Sequence, residues 1–395
     1  MTTLALDQYV TDWLDLLLRW LHVIAAIAWI GASFYFVLLD QSLRPPASEQ
    51  DLEDGVRGEL WEVHGGGFYH VKKYLVAPPR LPEHLAWFKW EAYTTWLSGF
   101  ALMIVLYYVD APARLVDPAV ADLESWLAVV ISLALLAAGW IVYDVLCRLL
   151  AGRELALAVA IVGLTALLAW GAGELFSARA AWLQVGATLG TAMAGNVFFV
   201  IIPAHWELIR AKQAGRDPDP APGIKGKQRS VHNNYLTLPV LLTMLAGHFG
   251  FLTGRSHAWL VLLTLMVLGA ASRLFFNLRH SGRTHWWLPV AAAAAVAALA
   301  VGLRPGDSPT SSGPGGDAAR GKTVFAESGC GSCHTLADAG SSASAGPNLD
   351  GSRPSAKLVA ERVTNGRGGM PPFGGRLSEQ EIADVAAYVS AAAGS

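Results

Sequence analysis

Charged side chains are scarce in this chain. Asp, Glu, Lys and Arg make up 15% of its 395 residues, whereas apolar residues make up 53%. Soluble globular domains carry a charge on about a quarter of their residues. The composition therefore excludes an ordinary soluble protein of this size and indicates a membrane protein. The formal net charge is −2, and without any basic run this excludes a nucleic-acid partner.

Cysteine is also rare, and the common nucleotide-binding glycine patterns are missing. Three cysteines cannot build a disulfide framework, and we interpret Cys147, at the end of an apolar run, as a buried small residue. A Walker loop and a Gly-x-Gly-x-x-Gly turn are both absent, so nicotinamide and flavin have no visible site. His64 and His70 could hold a metal, but no second cluster at metal spacing accompanies them.

The chain does contain a haem-attachment motif near its end. Residues 330–334 read Cys-Gly-Ser-Cys-His, the signature that attaches a c-type haem. It predicts one covalent haem c, bonded to Cys330 and Cys333, with His334 as an axial ligand of the iron. Met370 lies between glycines and prolines, where a packing methionine is unexpected, and is the candidate second axial ligand. A zinc site would need a second cysteine pair.

The flanking residues fit a small class I cytochrome c. Residues 317–329 carry a helix pattern, and Ser378 with Glu381 predicts a capping box at the start of a final helix. We therefore predict a cytochrome c domain over 317–395. Residues 305–316 are rich in Pro, Gly, Ser and Asp, a composition typical of a flexible linker.

Eight apolar stretches before this linker are long enough to cross a bilayer core of about 30 Å. They lie near 14–39, 90–109, 123–147, 154–172, 184–209, 234–253, 257–279 and 286–303. The predicted fold is all-α: an eight-helix transmembrane bundle over 1–304, in contact with membrane lipid, followed by the cytochrome c domain.

The basic residues predict the orientation of these spans. Lys and Arg concentrate in the first, third, fifth and seventh connections, above all in 40–89 and 210–233. The positive-inside rule places those connections in the cytoplasm, so both termini are periplasmic. Haem c is attached on the outer face of the bacterial inner membrane, which requires the same orientation. We therefore predict a multi-pass protein of the bacterial inner membrane.

Polar residues at membrane depth are costly and are functional candidates. On the inner side they include a stripe on the seventh span, the start of the sixth span and one acid on the second. Each alone could be an interfacial anchor, but together they exceed what anchoring needs and predict a pocket for a small polar anion. The candidate catalytic residues are Arg273, Asn277, His232, Asn233, Asn234 and Glu91.

Two histidines lie on the outer side. His22 falls in the outer half of the first span, and His248 lies near the outer end of the sixth. They are candidate ligands of a b-type haem in the membrane domain. The alternative is that each one only forms a hydrogen bond to a neighbouring helix.

Four segments resemble the bacterial membrane-bound urate oxidases (urate hydroxylases): 61–70, 74–78, 88–93 and 231–240. The resemblance covers the whole chain, with the same eight spans and C-terminal cytochrome c. It implies that urate is oxidised to 5-hydroxyisourate in purine catabolism, with electrons passed to cytochrome c rather than to oxygen. A terminal oxidase or a soluble cytochrome would then be the downstream electron acceptor.

The side from which urate binds stays open at this point. Binding at the inner side favours a haem relay, whereas binding near the outer face lets haem c accept electrons directly. Two other classes are alternatives: a quinol-oxidising cytochrome subunit of a respiratory complex, and a transporter or sensor whose cytochrome reports redox state.

Overall fold

The computed structural model describes residues 8–118, 120–253, 257–303, 315–343, 346–367 and 370–393. The predicted linker lies almost entirely outside these ranges, as do Gly368 and Gly369, which precede Met370. The described part is mostly helical, as predicted.

Long helices form the N-terminal part. They are α1 (Gln8–Ser42), α2 (Trp90–Met103), α3 (Ser125–Leu149), α4 (Glu154–Gly173), α5 (Ala178–Gly195), α6 (Ile202–Gln213), α7 (Pro220–Ala246), α8 (Ala258–His280) and α9 (Trp287–Gly302). Wider π-helical turns, Ile104–Tyr108 and Asn196–Ile201, follow α2 and α5. Short helices lie at Glu49–Glu53, Ala111–Arg114 and Gly250–Thr253.

Each predicted span coincides with a helix, but the count of eight spans is not confirmed. Five helices in the described ranges are long and apolar enough to cross a membrane: Tyr9–Ser42, Ser125–Leu149, Glu154–Gly173, Ala178–Gln213 and Ala258–His280. Helices α2 and α9 are shorter, with 14 and 16 residues. Helix α7 begins 14 residues before the predicted sixth span, because Asp219 caps the Ala221 N–H and proline fits a first turn.

A β-hairpin departs from the all-α prediction. Strands β1 (Val56–His64) and β2 (Gly67–Tyr74) pair antiparallel around Gly65 and Gly66. Both glycines have positive φ, 58° and 81°, as two-residue hairpin turns require. The hairpin follows α1 closely enough for the Tyr35 hydroxyl to donate to Glu62 at 2.6 Å.

Close helix crossings position the bundle. Helix α5 packs against α3 and α7, α7 packs against α8, and α1 packs against α2. A Cβ atom at Gly186 would lie 1.8 Å from Thr243 Oγ1, so only glycine permits this approach of α5 to α7. Phe176, Trp182 and Leu262 are buried in the core beside these crossings. The packing leaves α1, α2, α5 and α7 around a common interior space.

The C-terminal part is a separate small helical unit. It comprises α10 (Ala318–Glu327), α11 (Ala356–Asn365) and α12 (Glu379–Ala392), the strand pair β3 (Thr335–Leu336) and β4 (Ser341–Ser342), and short helical turns at Cys330–Ser332, Ala337–Ala339 and Leu349–Ser352. The predicted capping box of Ser378 and Glu381 is present. Helices α10 and α12 touch at Gly321, where a Cβ atom would lie 2.0 Å from the Asp384 carbonyl oxygen.

Candidate functional site

The residues of the haem motif surround one cavity together with Met370. Cys330, Cys333, His334 and Met370 all line it. His334 Nδ1 lies 2.9 Å from the Pro347 carbonyl oxygen, an acceptor, so Nδ1 carries the proton and Nε2 keeps a free lone pair. Metal-ligating histidines are commonly oriented by such a bond. Two thiols, an imidazole and a thioether around an apolar cavity fit a c-type haem, which supplies one-electron transfer when bound.

Hydrogen-bonded carboxylates connect the helices of this unit. Asp384 is 2% exposed and accepts from the Asp317 N–H at 2.7 Å, from Gln380 at 2.8 Å and from Arg320 at 3.0 Å. These donors, the Asp317 N–H first, hold the pKa of Asp384 below its ordinary value. The Tyr388 hydroxyl and then Lys322 lower the pKa of Asp338 in the same way.

The haem cavity continues into the helix bundle. Its volume is about 1920 Å³. From the haem motif it passes between α1, α2, α5 and α7, and its walls there include Ala26, Trp29, Gly99, Gly190 and Thr237. We call this part of the cavity the shaft. The cytochrome unit is held over its mouth by an ion pair between Arg376 Nη2 and Asp117 Oδ2 at 2.9 Å.

Both outer histidines, His22 and His248, line this cavity. His22 Nδ1 lies 3.0 Å from the Thr95 carbonyl oxygen and 3.1 Å from Ser98 Oγ. The predicted alternative, a hydrogen bond to a neighbouring helix, is therefore present for His22, but it engages only one ring nitrogen. The imidazole can pack against α2 because residue 99 is glycine. A Cβ atom at this position would lie 2.8 Å from His22 Cε1.

The structure brings three of the predicted pocket residues together. Arg273 donates to Asn234 Oδ1 at 3.3 Å and to Asn277 Oδ1 at 3.2 Å. Asn277 Nδ2 also donates to Asn234 Oδ1, at 3.1 Å. All three are at most 6% exposed. The Arg273 guanidinium lies 3.7 Å from the centre of the Phe34 ring.

The charge of Arg273 has no counterion in this cluster. Among the described residues, no carboxylate oxygen lies within 4.0 Å of its guanidinium. By contrast, the buried Arg229 contacts Asp144 at 2.6 Å. Asn234 Nδ2 is also buried without a hydrogen-bond partner in the described part of the chain. An unpaired buried cation beside an unused amide donor is costly without a ligand, so this cluster can bind a small planar anion.

His232 and Asn233 have different neighbours from Asn234. His232 Nδ1 lies 2.8 Å from the Tyr143 hydroxyl and 3.8 Å from Cys147 Sγ. Asn233 Oδ1 accepts from Asn196 at 2.9 Å. This second polar cluster lies between α7, α3 and the π-helical turn after α5. Cys147 is buried, as predicted.

Glu91 contributes an isolated carboxylate at the start of α2. Its Oε2 atom is buried and has no hydrogen-bond partner among the described residues, and its backbone oxygen accepts from Thr95 Oγ1 at 2.6 Å. No contact joins it to Arg273. His70, weighed as a metal ligand, instead lies 2.8 Å from Glu59 and stacks on Trp61.

Sequence reasoning missed Phe34, Tyr143 and Asn196. A sequence signal existed only for Asn196, a lone amide within an apolar run. It is fully buried and donates to the Tyr143 hydroxyl at 3.0 Å. Phe34 and Tyr143 are ordinary aromatic residues of long apolar helices, and only the packing shows which polar groups they contact.

Comparisons with known proteins match both parts of the chain. The Urate oxidase N-terminal family matches residues 8–304, and the cbb3-type cytochrome c oxidase subunit III family matches residues 316–389. Cytochrome c6 of Picosynechococcus sp. is 48% identical over 86 residues, which cover 19% of this chain and 72% of that protein. Cytochrome c6 of Diacronema lutheri is 38% identical over 87 residues, 20% of this chain and 100% of that protein.

A solved structure matches the C-terminal part. The c-type cytochrome SorU from Sinorhizobium meliloti is 46% identical in sequence, covering 20% of this chain and 91% of that one, with a TM-score of 0.19. The comparisons support a urate-related oxidoreductase that carries a c-type haem.

Proposed function

The chain belongs to the Urate oxidase N-terminal family, and we propose that it oxidises urate at the Arg273 cluster and passes the electrons to its own c-type haem. The protein would be a multi-pass inner-membrane enzyme of purine catabolism. Its cytochrome c domain, over 317–395, would be periplasmic and follow a flexible linker over 305–316. Five long apolar helices and the basic residues of 40–89 and 210–233 support this arrangement.

The reaction balances as the urate monoanion plus water giving the 5-hydroxyisourate monoanion, two electrons and two protons. Water supplies the new hydroxyl oxygen, and molecular oxygen is not consumed. Haem c accepts one electron at a time, so each urate molecule reduces two haem equivalents. A terminal oxidase or a soluble cytochrome would take the electrons onward.

The observation that carries the proposal is the buried, unpaired charge of Arg273. Urate is a planar monoanion with amide-like edges. Nε and Nη2 of Arg273 donate to the two asparagines, which leaves Nη1 without a partner among the described residues and able to donate to such an edge. Asn234 Nδ2 is a further buried donor without a partner in the described part of the chain. Phe34 supports the guanidinium from one side at 3.7 Å. Asn277 fixes the position of Arg273 by accepting a hydrogen bond at 3.2 Å.

The other predicted pocket residues have supporting roles in this proposal. His232 and Asn233 neighbour Asn234 in sequence and form a hydrogen-bonded cluster with Tyr143 and Asn196. Because these contacts lie on a different side of α7 from the Arg273 cluster, we assign His232 and Asn233 to positioning Asn234 rather than to contact with urate. Glu91, whose Oε2 is buried without a partner among the described residues, is the candidate proton acceptor.

The experiment is anaerobic mixing of the purified full-length protein with urate while the absorbance of reduced haem c is followed. We expect the haem c band to rise and the urate band to bleach, with two haems reduced per urate. Xanthine, a purine with a similar outline, serves as the control. Reduction by a quinol but not by urate would contradict the proposal and favour a respiratory cytochrome subunit. Urate binding without bleaching would favour a transporter or sensor.

A further inference from the structure

We infer that the shaft binds a second, non-covalent haem, with His22 and His248 as its axial ligands. The role given to this haem rests on the proposed function, because it would lie between the urate pocket and haem c. Its presence can be tested without urate. The inference rests on three observations. The second ring nitrogen of His22 has no hydrogen-bond partner among the described residues, His248 lines the same cavity, and the cavity lining has the shape and charge that a haem needs.

The His22 ring is prepared as a metal ligand. A carbonyl oxygen can only accept, so the 3.0 Å contact to Thr95 O makes Nδ1 the protonated nitrogen. Nε2 then carries the free lone pair, and no described residue forms a hydrogen bond with it. Histidines that bind metals are typically oriented in this way, with the second nitrogen donating to a backbone carbonyl.

His248 lines the cavity just beyond the end of another helix, at a distance from Arg273 along the bundle similar to that of His22. Arg273 contacts both Phe34 on α1 and Asn234 on α7, which fixes a common level for the two helices. Twelve residues separate Phe34 from His22 along α1, and twelve separate Asn234 from Ala246, the last residue of α7, two residues before His248. At 1.5 Å per residue, His22 and the end of α7 both lie about 18 Å from that level. Both histidines also line the same cavity, as two axial ligands of one haem must.

The lining of the cavity that contains both histidines suits a flat apolar group. Trp29, Met103 and Met244 line the cavity with apolar atoms. At Gly190, another lining residue, no atom lies within 4 Å of where a Cβ atom would be. This open space is bounded by four helices, an arrangement in which bundles commonly hold cofactors.

The rim of the cavity carries the charge that haem propionates need. Arg19 and Arg179 line it toward the cytochrome side. Arg19 is paired with Asp15 at 2.6 Å, whereas Arg179 has no carboxylate within 4.0 Å among the described residues. Arginine pairs with carboxylates through two parallel hydrogen bonds. A haem in the shaft would therefore point its propionates toward Arg179.

This haem would lie between the proposed urate pocket and haem c, so that electron transfer over the whole distance becomes two shorter steps. Phe34, beside the proposed urate pocket, lies about 18 Å along α1 from His22, and the cavity continues from His22 to Cys330 and Cys333. Electrons would pass one at a time through the shaft, and neither transfer would make or break a bond.

The test measures haem that can be extracted from the purified full-length protein. Acidified acetone removes a non-covalent haem and leaves haem c on Cys330 and Cys333. We expect the wild-type protein to release as much haem as it retains covalently, with a b-type pyridine haemochrome spectrum. Wild-type protein that releases no haem would overturn the inference, whether or not it oxidises urate.

Variants identify the ligands. His22→Leu and His248→Leu should each lose the extractable haem while keeping haem c, and His285→Leu, at an exposed histidine outside the cavity, should keep both. Extractable haem at the wild-type level in His22→Leu would overturn the assignment. His22→Met covers the case in which His22→Leu fails to assemble. Methionine can ligate haem and raises its reduction potential, so an unchanged potential of the extractable haem would also overturn it.

Discussion

The guanidinium carbon of Arg273 lies 3.7 Å from the centre of the Phe34 ring. This contact joins α8 to α1 and covers one side of the guanidinium. The only acceptors given to Arg273 by the described residues are the amide oxygens of Asn234 and Asn277. An amide oxygen carries a partial charge, so the full positive charge of Arg273 stays available to an anion.

Replacing Arg273 with alanine should abolish urate oxidation without preventing assembly. Each charge-assisted hydrogen bond contributes about 1.5–3 kcal/mol, and 1.4 kcal/mol corresponds to a factor of ten. Loss of the charge-assisted contact from Nη1 should therefore lower kcat/KM for urate by at least about tenfold. The measurement is steady-state urate oxidation, with haem c content as the marker of assembly. Arg279→Ala is the matched control, because Arg279 lies on the same helix but is exposed. Normal turnover by Arg273→Ala would remove Arg273 from the pocket.

Asn234→Asp tests whether charge, rather than shape, governs the pocket. The new carboxylate would replace an amide oxygen that lies 3.3 Å from Arg273 and would neutralise the guanidinium. It would also remove the unpartnered Nδ2 donor. We expect KM for urate to rise by about tenfold or more, since a charge-assisted bond to the anion is lost, without a lower melting temperature.

Asn234→Ala is the comparison for that experiment. It removes the same donor and acceptor but leaves the Arg273 charge unpaired, so urate should still be attracted. KM should therefore rise less in Asn234→Ala than in Asn234→Asp. Equal effects of the two substitutions would show that the charge of Arg273 does not govern urate binding.

The helices could be predicted from the sequence better than the segments that connect them. The apolar stretches and the stripe of Arg273 and Asn277 follow from helical spacing. Helices are present at the apolar stretches, and Arg273 and Asn277 share a hydrogen bond. The β-hairpin was missed, although Val63 and Phe68 flank a Gly-Gly turn within an alternating pattern. Residues 40–89 are predicted as one connection between spans, with no strand assigned within it.

The three consecutive residues His232, Asn233 and Asn234 show why the pocket could be predicted only in part. Successive residues on a helix point in directions about 100° apart, so the three cannot all face one pocket. Asn234 meets α8, whereas His232 and Asn233 meet α3 and the segment after α5. Which direction holds the ligand depends on packing between distant helices, and a single sequence does not contain that information. The shared cavity of His22 and the haem motif depends on long-range packing in the same way.

The cytochrome domain should lose stability in acid through Asp384. Its pKa is depressed in the folded state, chiefly because it accepts the Asp317 N–H. A depressed carboxyl pKa stabilises the fold above the unfolded-state value of about 3.9. That stabilisation is lost as the pH falls below this value and through the folded-state pKa. Asp338 and Glu381, whose pKa values are also lowered, act in the same direction.

Thermal unfolding of the full-length protein, followed by the haem c absorption band between pH 7 and 3, measures this effect. The melting temperature should stay nearly constant down to about pH 4, because the carboxyl groups are mostly ionised at pH values above their ordinary pKa. Below that pH the melting temperature should fall. Asp384→Asn should lower the melting temperature at pH 7 and reduce the fall below pH 4. If the melting temperature of Asp384→Asn fell with pH as steeply as that of the wild-type protein, another group would be responsible for the acid effect.

The Arg376–Asp117 ion pair should influence how fast the cytochrome domain receives electrons. The pair lies 2.9 Å apart and joins the two parts of the chain. Exposed ion pairs contribute at most about 1 kcal/mol, so Arg376→Glu should slow urate-driven reduction of haem c only several-fold. The slowing should fade at high salt, because the Debye length falls to about 3 Å at 1 M. The exchanged double variant, Arg376→Asp with Asp117→Arg, should recover most of the rate, and Lys357→Glu is the control for the same charge change elsewhere on the domain. If Lys357→Glu slows the reduction as much as Arg376→Glu does, the effect belongs to the net charge of the domain and not to this contact.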